Sequence, residues 1–148
     1  MMVLENSPDE FMVRFHEYAT QGILYPHIEG GPLLEFASKG RVLYLFDRSG
    51  PYGIPSGEAS VIVHPLLKTW ELTLEREERL FPNGVSSVEG SGKVLEVQRG
   101  FLIVQARITL VIGILENTMP KVLAGEWIKF SSESPIHGFV VTEGTNKL

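Results

Sequence analysis

Residues 91–113 read SGKVLEVQRGFLIVQARITLVIG, and this stretch decides the fold. From Lys93 to Gln98 the side chains alternate, Val94 and Glu96 against Leu95 and Val97, which is the period of a strand. Arg99 and Gly100 suit a hairpin turn. Phe101-Leu102-Ile103-Val104 continues as a second strand, and Ile108 to Ile114 as a third. Between Ile108 and Leu115 only Thr109 and Gly113 interrupt the apolar residues, so the third strand is expected to be buried on both faces. One face would be core. The other needs a cover, either the N-terminal helix or a second subunit, and from this a homo-oligomer is expected.

Toward the C-terminus, Glu126-Trp127-Ile128-Lys129-Phe130 alternates again, with Trp127 on one face and Ile128 and Phe130 in the larger apolar set. A loop over residues 131–135 leads to a last strand, Gly138-Phe139-Val140-Val141. The polar residues 142–148 are expected to fray. From 91 to 141 this order resembles the cadence of a small Greek-key barrel of the OB type: a strand with an early glycine, a hairpin, a third strand, a connection and two final strands. The resemblance carries no fingerprint residues and names no family.

Toward the N-terminus, Arg41-Val42-Leu43-Tyr44-Leu45-Phe46 is a strand of β-forming residues between Gly40 and Asp47. Residues 49–57, SGPYGIPSG, hold three glycines and two prolines and form a loop. Ala59 to His64 is a strand closed by Pro65. Thr69 to Arg79 is a long strand with Trp70, Leu72 and Leu74 on one face, running out into a charged end. Pro82-Asn83-Gly84 is a turn. Leu33-Leu34-Glu35-Phe36 is a short strand or a turn. Ser7-Pro8-Asp9-Glu10 reads as a capping box, and Phe11, Met12, Phe15, Tyr18 and Ala19 follow at helical spacing. Gly22 is the natural stop. The expectation is one domain over residues 1–148: a helix over 8–20 packed on a mainly β body, an antiparallel barrel or sandwich of about eight strands with its core in 41–141.

The chain has 148 residues, a net charge of −5 and no cysteine. Disulfides, thiolate nucleophiles and Cys-based metal sites are excluded. No two Lys or Arg residues are adjacent, so tight nucleic-acid or anionic-membrane binding is disfavoured. Single-strand binding by stacking needs fewer cations and stays open. The first residues lack the basic and apolar regions of a signal peptide, and a cytoplasmic protein is expected.

No G-x-S-x-G elbow, phosphate loop or paired-histidine metal motif occurs. No metal or cofactor is expected. His64 at a strand end and His137 in a loop could meet at a barrel mouth, with Asp47 and Glu126 completing a set of acid–base groups. The plainer reading makes the histidines ordinary surface or half-buried residues and Asp47 a turn former. Tyr25, Tyr52, Ile54 and Trp127 are aromatic or apolar side chains suited to anchoring an interface. The favoured function is a non-catalytic binding module that engages a protein partner, or itself, through loops and one sheet face. The alternatives are a small-ligand or hydrolytic barrel with a His/Asp/Glu mouth, an OB-type single-strand binder, and a structural assembly subunit.

Overall fold

A computed structural model describes residues 8–25, 33–48, 56–115 and 119–141. A short helix, α1 (Pro8–Phe15), and a 3-10 turn (His16–Tyr18) come first. Among the described residues eleven strands follow: β1 (Thr20–Tyr25), β2 (Leu33–Ser38), β3 (Arg41–Asp47), β4 (Gly57–His64), β5 (Leu67–Leu72), β6 (Arg79–Pro82), β7 (Val88–Gln98), β8 (Phe101–Ala106), β9 (Ile108–Gly113), β10 (Trp127–Ser132) and β11 (Ile136–Val141).

Five strands close into a barrel. β1 pairs with β2, β2 with β3, β3 with β11, β11 with β4, and β4 with β1 again. Closure satisfies backbone groups that an open sheet would leave at its edges. Leu24, Leu34, Phe36, Leu43, Leu45, Val61, Val63, Ile136 and Val140 belong to the buried core. Within the ring, two positions need glycine for space. A Cβ on Gly22 would lie 2.4 Å from the Ala37 carbonyl oxygen, and one on Gly138 would lie 2.9 Å from the Leu45 side chain.

A second sheet branches from β4 where Val63 meets Leu110 in parallel, and runs β9, β8, β7, β10, β5. The hairpin at Arg99-Gly100 joins β7 to β8. Leu102, Val104, Leu110, Ile112, Ile128 and Phe130 join the same contiguous core as the barrel.

Helix α1 covers the outer face where barrel and second sheet meet. Phe11, Met12 and Phe15 are buried there against Ile62, Phe101, Ile103, Val111 and Phe139. Phe11 stacks on Phe139 with ring centroids 4.4 Å apart. The Arg14 guanidinium lies 5.0 Å above the Phe101 ring and donates to Gln98 Oε1 at 2.6 Å. The Tyr18 hydroxyl donates to the Glu96 carboxylate. The doubly buried run of β9 therefore has its cover: Leu110 and Ile112 face the barrel-side core and Val111 faces the helix.

The fold is the mainly β barrel with one helix that the sequence implies, with several corrections. Helical hydrogen bonding ends earlier than residue 20, because Thr20 and Gln21 are already paired with Val61 and Ser60 of β4. Gly22 is a close-packing position inside β1, not a helix stop. The barrel starts before residue 41, since β1 and β2 belong to it, and residues 91–141 supply the ring only with β11. Two pairings, β3–β11 and β4–β9, are parallel. The long strand expected over 69–79 ends at Leu72, opposite the start of its antiparallel partner β10, and Leu74 is 99% exposed. His137 lies in a strand, because the outer edge of β3 recruits Ile136 to Gly138.

Candidate functional site

Two neighbouring regions of the barrel's outer surface hold the groups with chemical potential. The first is at the meeting of β3, β4 and β11. His137 is the cross-strand partner of His64, and Asp47 stands opposite Gly138 in the parallel pair. Alternation turns His64 and His137 outward on their strands, and their ring centroids are 6.0 Å apart. The backbone N–H of Arg48 donates to the Gly138 carbonyl at 2.9 Å.

His64 is only 3% exposed, with the Phe11 ring centroid 4.7 Å away. Its Nδ1 donates to the Val111 carbonyl at 2.7 Å, which fixes the tautomer. Burial pulls its pKa down to about 4, against the opposing pull of that hydrogen bond, and the neighbouring His137 and Arg48 lower it further. His137 is half-buried, and desolvation followed by the Arg48 charge lowers its pKa as well. At neutral pH both rings are neutral. Among the described residues no group of three or more His, Asp and Glu could hold a metal ion.

Glu126 is not part of this cluster. Its carboxylate accepts the Leu123 N–H at 2.7 Å and its carbonyl accepts the Val94 N–H at 2.8 Å, so it closes the turn leading into β10. The fold thus brings His64 and His137 together, places Asp47 on the neighbouring strand with the inward parity of Leu45, and leaves Glu126 on the second sheet. His64 is shut away beneath α1.

The second region is the outer face of β1, β2 and β3. On β3, Leu43 and Leu45 point into the core, while Val42, Tyr44 and Phe46 point out and are exposed. On β1, Leu24 points in while Ile23 and Tyr25 are exposed. The strand registers arrange these side chains in rows. Ile23, Ala37 and Val42 form one; Tyr25, Glu35 and Tyr44 form the next; Leu33 and Phe46 form the third. Phe46 reaches the His137 ring, 5.7 Å between centroids, so the two regions adjoin. Beside the first row, an open concavity of about 680 Å³ is lined by Gln21, Ile23, Lys39, Glu58, Ser60 and Val141, among others.

A solvated antiparallel face ordinarily carries polar side chains. Here apolar ones stand where water reaches, next to a comparable face that α1 does cover. Contiguous exposed apolar surface of this kind marks interaction sites.

Tyr25 lies on this face. Trp127 lies on β10, in the second sheet, half-buried opposite Lys93. Tyr52 and Ile54 lie outside the described residues. Sequence reasoning passed over Ile23, Glu35, Val42, Tyr44 and Phe46. The available signal was the absence of any polar residue between Arg41 and Asp47, which makes both faces of that strand apolar. No helix among the described residues is long and apolar enough to cross a membrane.

No protein-family model, curated protein or solved structure matches the chain.

Proposed function

We propose that this protein is a non-catalytic binding module that engages a protein partner through the outer face of β1, β2 and β3. One observation carries the reading: Ile23, Tyr25, Val42, Tyr44 and Phe46 are exposed on a single face, aligned by register across three strands. Aromatic side chains anchor interfaces because they bury much area for little rotamer entropy. The ring order β1-β2-β3-β11-β4, with β3 and β11 parallel, supports an OB-type reading of the barrel, in which the β2–β3 face is the binding face. The charges on the face favour protein over nucleic acid. Glu35 sits at its centre and Glu58 stands beside Ile23 across the β1–β4 pair, where phosphates would be repelled.

Selection of a random peptide library on the immobilised full chain tests the proposal. Peptides are expected whose binding disappears in Tyr44→Ser and survives in Leu72→Ser, a control on the exposed part of β5. Sedimentation velocity on the same variants tests a second copy of the chain as the partner. Salt-sensitive anisotropy with labelled single-stranded DNA, lost in Tyr44→Ser, would transfer the face to nucleic acid. Finding neither face-dependent peptides nor face-dependent self-association would overturn the proposal.

The adjacency of His64 and His137 favours a second reading, a small-ligand site at β3, β4 and β11. Its test is histidine ring NMR during titration with zinc and with small carboxylates. Unmoved resonances would remove it.

A further inference from the structure

We infer that the face is built for a partner segment that delivers a basic side chain, an arginine above all, between Tyr25 and Tyr44 onto the carboxylate of Glu35. This rests on the binding reading above and specifies the chemistry of the partner. Tyr25, Glu35 and Tyr44 are consecutive cross-strand neighbours on β1, β2 and β3. Alternation turns all three outward: Leu24, Leu34, Phe36, Leu43 and Leu45, which flank them in sequence, are buried. Two strand spacings separate the tyrosines by about 10 Å, with the glutamate midway.

Glu35 is half-buried, and among the described residues no cation or hydrogen-bond donor contacts its carboxylate. A partner that covers Ile23, Val42 and Phe46 in the rows on either side must cover Glu35 too. A carboxylate sealed in an apolar interface without a counter-charge opposes association. The partner therefore has to bring a cation to that point. A cation arriving there meets a tyrosine ring on each side, and ring faces attract cations. A guanidinium fits better than an ammonium. It is planar, stacks on aromatic faces and binds a carboxylate through two parallel N–H donors. The chain's net charge of −5 acts in the same direction.

The test uses the peptides selected on the full chain. Arginine or lysine is expected at one fixed position among those whose binding needs Tyr25 and Tyr44. For the best of them, fluorescence anisotropy with the arginine replaced by citrulline, its neutral near-isostere, should show affinity weakened roughly five- to tenfold. Glu35→Gln should weaken the arginine peptide by a similar factor. In the Glu35→Gln protein the citrulline penalty should fall to about twofold, because the two changes remove one interaction. Tyrosine-dependent peptides without a basic preference would overturn the inference and leave the binding module standing. So would a citrulline penalty unchanged by Glu35→Gln. The absence of any tyrosine-dependent peptide would overturn the inference, and with no face-dependent self-association either, the binding module as well.

Discussion

His64 and His137 are partners across the β4–β11 pair, with ring centroids 6.0 Å apart, yet only His137 is reached by water. The difference comes from α1, whose Phe11 lies over His64. Neighbours in register thus differ in burial, because Phe11 of α1 packs on the His64 ring.

Acid should unfold this protein in part through His64. Burial depresses the folded pKa to about 4 from 6.5. The stabilisation that goes with the neutral ring is complete above pH 6.5 and is lost as the pH falls through 4, because the unfolded chain takes up the proton first. The full loss amounts to roughly 3 kcal/mol. His137, lowered in the same direction, adds to it. Urea titrations between pH 7 and 4 should show this slope. His64→Asn, which can still donate to Val111, should flatten it whatever its effect at neutral pH.

Alkali should act at Tyr18. The hydrogen bond to Glu96, then burial and the Glu96 charge, raise its pKa to about 12 from 10. A raised pKa stabilises the fold below pH 10, and this contribution is lost as the pH climbs through 12. By ultraviolet difference absorbance, Tyr18 should ionise late. Tyr18→Phe should abolish that late phase. An unchanged late phase would place it on another tyrosine.

Gly22→Ala tests the closure of the barrel. The new Cβ would meet the Ala37 carbonyl oxygen at 2.4 Å and the Phe36 ring at 2.7 Å. Backbone cannot yield as a flexible side-chain tip can, so β1 and β2 must part. A destabilisation of roughly 1–3 kcal/mol or more is expected from denaturant unfolding. A neutral result would mean that the strands approach less closely than described.

Phe15 and Tyr44 are both aromatic, and their substitutions should separate. Phe15, at the end of α1, is fully buried against Phe101, so Phe15→Ala should cost about 3–5 kcal/mol and loosen the helix. Tyr44 is 39% exposed on the outer face, so Tyr44→Ser should cost no more than about 1 kcal/mol. Comparable losses in urea midpoint would show that the outer face serves stability, and would weaken the case for it as a binding surface.

Much of the architecture is local and therefore readable in the chain. The helix announces itself by the spacing of Phe11, Met12 and Phe15. The hairpin announces itself by Arg99-Gly100 between alternating runs, and the double burial of Val111 and Ile112 by their apolar neighbours. These features depend on periodicity, turn chemistry and the number of consecutive apolar side chains, all properties of a few adjacent residues. Only the tertiary structure decided the rest. That β11 runs parallel to β3, that Gly22 is a point of close approach, that His64 lies under Phe11 and that Tyr25, Glu35 and Tyr44 share a row all follow from pairings between distant segments. Such pairings are set by closing the ring around a single core, and the energy of closure belongs to no segment alone. A strand apolar on both faces tells the reader that something covers it. Whether that cover is the chain's own helix, as on β9, or a partner, as proposed for β3, is written in the packing.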